Sequence, residues 1–525
     1  MANKSIFRSL VGKLLLAADA RNEAGALAYR MSDKHMLAQY AATGCLSNTF
    51  YASGDDQLQI VLQLCRKVEP EFIAQTALYA RTQSYMKDMP ALLLAVLSVK
   101  SPGLMAEVFD RVIDSPKMLR NFVQIMRSGV VGRKSLGTLP KRLIQQWLES
   151  RTDEQLFFGS IGNEPSLADI VRMTHPKPNS PQRRALLAYL VGREYDRSAL
   201  ADVVQQYEKF KRNTNVGKVA VPDVPFQLLT SLPLSKRDWA QIARNASWQT
   251  TRMNLNTFGR HGVWEDEEVV RLVANRLRNP RAVALARVFP YQLLAAYVNA
   301  DSGVPGVIRE ALQDAMELAI SNVPRLEGQV YVFVDVSGSM HSSVTGQRPG
   351  ATSKVRCIDV AALVAAAVLR RNPQAEVIPF ESKVVECRLN PRDSVLTNAG
   401  RLSQLPAGGT NCSAPLAHLN QRKARGELLI YVSDNESWVD SRLHGRFGGS
   451  ATETMRQWSL FKARNPEAKL VCIDQQPYGT MQTKPRPDIV NVAGFSDQVF
   501  SLLGAVARGG TGEEFWVREI ERTRI

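Results

Sequence analysis

Tyr331-Val332-Phe333-Val334 is an unbroken apolar run that leads straight into Asp335-x-Ser337-x-Ser339. A run with no polar alternation needs cover on both faces, as in the middle of a parallel sheet flanked by helices. Five such runs follow one another: "QVYVFVDV" (329–336), "AEVIPF" (375–380), "ELLIYVSD" (427–434), "AKLVCID" (468–474) and "DIVNVAG" (488–494). Helical patterns such as "KVRCIDVAALVAAAVLRR" (354–371) separate them. The alternation predicts a doubly wound α/β domain over residues 326–525, with its ligands beyond the carboxyl ends of the strands.

Three loops carry oxygen donors to those ends. The first strand delivers Asp335, Ser337 and Ser339, the Gly-rich "AGGTNCSAP" (407–415) carries Thr410, and "YVSDNESW" (431–438) ends a buried strand at Asp434. Hydroxyls and a few carboxylates, some acting through water, match the octahedral oxygen coordination of Mg²⁺. One position would remain for an acidic group from a partner. Turn-capping Asp and Ser residues after strands are the plainer alternative. The three-part set, in this order and on these strand ends, resembles the metal-ion-dependent adhesion site of von Willebrand factor A domains. That resemblance implies Ser337, Ser339 and Thr410 as nearer ligands, with Asp335 and Asp434 holding metal-bound waters.

Residues 1–325 read differently. "KRLIQQWLES" (141–150) places Leu143, Ile144, Trp147 and Leu148 on one helix face, and "PEFIAQTALYARTQ" (70–83) does the same through Ile73, Ala77 and Ala80. Prolines at 70, 90, 102, 116 and 140 mark helix starts. Short helices with no strand pattern between them, from about residue 8 to 320, suggest stacked helical pairs, with an irregular helical domain as the competing arrangement. The chain of 525 residues is long enough for both parts.

Charge separates the parts further. Residues 1–325 hold 42 Lys and Arg against 30 Asp and Glu, whereas 326–525 hold 24 against 20. A localised positive excess points to a polyanion, usually nucleic acid. Candidate contacts are Arg133, Lys134, Lys141 and Arg142 around a helix start, and His175, Lys177, Arg183 and Arg184 in the proline-stiffened "HPKPNSPQRR" (175–184). A third string, "ARNASWQTTRMNLNTFGRHGVW" (243–264), interleaves Arg244, Arg252, Arg260 and His261 with Trp248, Phe258 and Trp264, suited to stacking on splayed bases. A solvated basic face is the alternative for any one of these cations, and core packing for each Trp. "GVVGRKSLG" (129–137) lacks Walker A spacing, which excludes nucleotide hydrolysis there.

"MRSGVVGRKSLGTLPKRLIQQWLES" (126–150), "LADIVRMTHPKPNSPQRRALLAYLVGRE" (167–194) and "GCLSNTFYASGDDQLQ" (44–59), with an A domain following, resemble the Ro ribonucleoprotein autoantigen family and its TROVE module. The resemblance implies a ring of HEAT-like helical repeats closed by the A domain. It also implies binding of small noncoding Y-type RNAs on the outer surface, and of single-stranded ends of misfolded RNAs in a central hole. An exoribonuclease partner and a role in RNA quality control, rather than catalysis, go with it. "QLFFGSIGNE" (155–164) lacks the basic residues of that family's pattern, which shifts weight to Arg183 and Arg184.

The competing function is a metal-dependent protein-interaction module without RNA, which leaves the charge unexplained. A metal-dependent phosphohydrolase lacks a base beside the metal loops. Six cysteines without a CxxC pair argue against zinc and disulfides and suit a reducing cytoplasm. Lys13 interrupts any secretory core, and no apolar stretch is long enough for a membrane span.

Overall fold

The computed structural model describes residues 17–213, 219–286, 290–347, 355–438, 451–494, 498–510, 512 and 514–525; the amino-terminal stretch read for a leader lies almost wholly outside them. All five expected strands are present. Val330–Asp335 (β3), Glu376–Phe380 (β4), Leu428–Ser433 (β5), Lys469–Asp474 (β6) and Ile489–Ala493 (β8) form one parallel sheet in the order β4-β3-β5-β6-β8. The order reverses between β3 and β5, so a crevice opens there at the carboxyl ends. Every residue of β3 is buried. Val330, Val332 and Val334 face a core shared with the apolar helix Cys357–Arg371, while Tyr331 and Phe333 face a second core with Leu416, Trp458 and Phe461. Both faces are covered, as the unbroken run requires.

The helical part packs helix against next helix in HEAT-like fashion, from Asp33–Thr43 to Gly306–Ala319. Prolines 70, 102 and 116 are first residues of helices, where the missing N–H costs nothing; Pro90 and Pro140 fall at third positions instead. One expectation fails. The amino-terminal region is not purely helical, because Ala20–Arg21 (β1) and Leu27–Arg30 (β2) pair antiparallel, and β2 pairs with Thr480–Met481 (β7) of the α/β part. Strands of two to four residues leave no periodicity to read.

Both ends of the helical run rest on the α/β part. At the far end, Glu317 bonds Arg370 (3.2 Å) and accepts from the Val395 amide (2.8 Å). At the near end, the Gln39 amide donates to the carbonyls of Gln476 and Tyr478. There the carboxyl-terminal helix Phe515–Glu521 lies against Asp33–Thr43 and Pro70–Thr82. Trp516 Nε1 donates to Tyr79 Oη (3.1 Å), and the Trp516 ring meets His35 edge-on at 5.5 Å. The chain thereby closes on itself.

His35 is fully buried in this seam, and neither ring nitrogen has a hydrogen-bond partner. Burial lowers its pKa from 6.5 to about 4. The unfolded chain therefore takes up this proton at a higher pH than the folded one. Its contribution is complete above the unfolded value, is lost as pH falls towards 4, and is constant below. We predict that thermal unfolding from pH 7 to 4.5 destabilises the protein more steeply than its His35→Gln variant. The difference should approach about 3 kcal/mol; parallel profiles would contradict it.

Candidate metal centre and nucleic-acid interface

The crevice between β3 and β5 collects the strand-end oxygens. Asp335 is wholly buried, and Ser337, Ser339, Thr410 and Asp434 are each at most 5% exposed. Asp335 is fixed on both sides: Oδ1 accepts from the Ser337 amide (2.9 Å) and Oδ2 from the Ser433 hydroxyl (2.5 Å). Ser337 and Ser339 hydroxyls lie 3.4 Å apart. The Gly-rich loop is drawn in by Gly338 N to Gly408 O (3.0 Å) and Trp438 N to Thr410 O (3.1 Å). Gly409 passes so close to Trp438 that a Cβ would sit 2.3 Å from Nε1, so only glycine brings Thr410 here.

The electrostatics are unbalanced. Burial raises the pKa of Asp335, and burial plus the Asp335 charge raises that of Asp434 to about 7. Burial also raises Glu436 to about 9 and Asp474 to about 8. No cluster of three or more His, Cys, Asp or Glu among the described residues could hold a metal, so an ion here would depend on the hydroxyls. Two buried carboxylates beside three hydroxyls fit a hard divalent cation, which would offset their mutual repulsion.

The basic candidates fall into two groups. Lys134, Lys141, Arg142, His175, Lys177, Arg184, Arg260 and His261 are exposed. Arg142 and Lys177 line one cleft of about 200 Å³ between the helices Thr138–Ser150 and Pro181–Val191. His175, with φ +50°, ends the helix Leu167–Thr174, and Gln145 ties the loop down by donating to the Thr174 carbonyl (2.6 Å). His261 stacks on Trp239 at 4.0 Å.

Four arginines are taken up inside the fold instead. Arg183 is 9% exposed; Nε donates to Asp153 (2.6 Å) and its other two nitrogens to the carbonyls of Leu148 and Arg151. Arg133 donates to the carbonyls of Ser98 and Leu136. Arg244 pairs with Asp266 (2.9 Å) and Glu268 (3.1 Å). Arg252 donates to Gln249 and the Gln292 carbonyl, and burial lowers its pKa. The extra weight placed on Arg183 therefore moves to Arg184. Trp248 and Phe258 are core residues. Sequence reasoning passed over Ser433, which fixes Asp335 although it lies within the quoted "YVSDNESW", and Tyr51, described below.

A run of paired helices closed by an α/β domain with a strand-end oxygen set defines a helical-repeat protein carrying a von Willebrand factor A-type domain. Residues 329–506 match the family described as the Ro60 vWA domain. The chain is 25% identical over 524 residues to the "RNA-binding protein RO60" of Deinococcus radiodurans, covering 93% of this chain and 95% of that one. The crystal structure of the Deinococcus radiodurans RO (RSR) protein superposes with a TM-score of 0.60 at 22% identity, over 91% of this chain and all of the other. Over nearly its whole length the chain is thus similar in sequence to a Ro60 protein and in fold to the RO structure, and its A domain matches the Ro60 A-domain family. Among the described residues no helix is long and apolar enough to cross a membrane.

Neighbouring arginines should separate by role. Arg183→Gln strands Asp153 and two carbonyls and should lower stability by about 1–3 kcal/mol. Arg184→Gln, on the surface, should change it by less than about 0.5 kcal/mol. Denaturant titration of both variants checks this, and equal effects would refute the assignment.

Proposed function

We propose that the chain is an RNA-binding protein of the Ro type, acting in RNA quality control and not by catalysis of its own. Small Y-type RNAs would bind on the outer surface, single-stranded ends of misfolded RNAs would enter the ring, and an exoribonuclease would be the enzyme it serves. The observation that carries this reading is the cleft where Arg142 and Lys177 stand free of internal partners, with Glu149 the one acid in its lining and the exposed Lys141 and Arg184 next in the chain to lining residues. Cations on two elements held by a tied-down, proline-containing loop lose little entropy on meeting a phosphate chain. The name of the Deinococcus relative supports the same reading.

The oxygen set is read as a Mg²⁺ site held by Ser337, Ser339 and Thr410, with Asp335 and Asp434 acting through water. The ion would supply the positive charge that the two carboxylates lack, and Ser433 with the Ser337 amide holds Asp335 in place for it.

Charge reversal of Lys141, Arg142, Lys177 and Arg184 to Glu should weaken binding of a hairpin RNA with a 3′ tail by about 10- to 100-fold at moderate salt. It should also flatten the salt dependence, read by fluorescence anisotropy. Asp335→Ala should leave affinity within about twofold. Salt-independent binding, or none at low salt, would remove the reading. Separately, saturating Mg²⁺ should raise the melting temperature of the wild type but not of Asp434→Ala; identical responses would dismiss the cation site.

A further inference from the structure

The helices Asp33–Thr43 and Gly54–Lys67 are joined by a turn that the basic cleft leaves without a role. It is firmly built. Ser53 and Asp56 form a reciprocal cap at its end, and Gln57 donates to the Ser47 carbonyl (2.7 Å). Its middle reaches the α/β part, where Asn48 bridges to Gln347 and the Gln347 amide donates to the Asn48 carbonyl at 2.6 Å. Gly346 has φ +69°, and a Cβ there would lie 2.8 Å from Ser47 Cβ and 2.9 Å from Asn48 O. The two segments touch because that position has no side chain.

The bridge brings Tyr51 to the oxygen set. Its ring meets the buried Tyr478 edge-on at 5.4 Å and Phe50 edge-on at 4.7 Å. Its hydroxyl lies close enough to Ser339, Asp434, Glu436 and Asp335 for their dipole and charges to act on it. A second stretch of the helical part crosses the same face: Asn22 donates to the Ser437 carbonyl (2.6 Å), and the Glu23 amide to Glu436 (2.9 Å).

We propose that Tyr51 is a further residue of the cation site, contributed by the helical part, so that a bound ion ties the two parts of the chain together. The inference rests on the cation reading above and gives its remaining position to this chain instead of an acidic partner. A phenol suits the place. It brings an oxygen without adding a third negative charge to Asp335 and Asp434, whether it meets the ion directly or through water. A partner carboxylate would have to displace Tyr51 and, through Asn48 and Gln347, the turn itself.

The test uses Mn²⁺ as probe on the full chain. By calorimetry, Tyr51→Phe should bind Mn²⁺ about three- to tenfold more weakly than wild type, and Asp434→Ala should show no saturable binding. Water-proton relaxation by the bound ion should rise in Tyr51→Ala above the wild-type level as further water reaches the metal; Tyr51→Phe keeps the ring packing and guards against misfolding. Wild-type affinity and relaxation in both Tyr51 variants, with binding still lost in Asp434→Ala, would overturn the proposal and leave the cation reading standing. No saturable binding by the wild type would overturn both.

Discussion

Two carboxylates, Asp335 and Asp434, stand buried at adjoining strand ends, and the rest of the A domain is arranged around them. Like charges in such a place persist only if one is protonated or an opposite charge is supplied. Among the described residues no side chain supplies that charge. The bonds from Ser433 and from the Ser337 amide fix Asp335 in orientation without neutralising it, and the upward shift of Asp434 registers the remaining strain. The β3–β5 reversal, the Gly409 passage beneath Trp438 and the hydroxyl pair 3.4 Å apart all serve to bring donors to this one spot.

Much of this was legible in the order of residues. A run like Val330–Asp335 has only one economical environment, and five such runs alternating with helices leave few topologies. The oxygen set could be read because its parts lie at strand ends, where direction follows from the strand itself. The basic residues were less legible for a physical reason. Arg183 and Arg184 look alike in sequence, yet one is held by Asp153 and two carbonyls, some thirty residues back in the chain, while the other faces water. Nothing local distinguishes them. The same holds for Arg244, whose acids sit 22 and 24 residues further on. Strands β1, β2 and β7 were invisible because each is too short for a period, and Tyr51 because its neighbours come from the opposite end of the chain.

The two ends of the helical run differ in character. The far end is held by the Glu317–Arg370 ion pair, the Val395 amide on Glu317, and bonds from Arg370 to the Pro391 and Arg392 carbonyls. The near end adds a buried aromatic seam of His35, Tyr79 and Trp516, with Gln39 reaching across, to an exposed Lys34–Glu521 ion pair. Salt weakens the exposed ion pairs at both ends, Glu317–Arg370 at the far one and Lys34–Glu521 at the near one, whereas acid acts on the buried seam at the near end alone through His35.

The pairing of β2 with β7 joins Tyr29 to Met481. During synthesis that edge has nothing to pair with until Thr480–Met481 have left the ribosome, an interval on the order of a minute. Arg30 and the two-residue β1 beside it keep the waiting edge short and charged, the usual protection against pairing with a neighbouring nascent chain. Circle closure is thus a late event in the life of each molecule, and any change that lengthens or neutralises this small strand would be felt first as aggregation during translation.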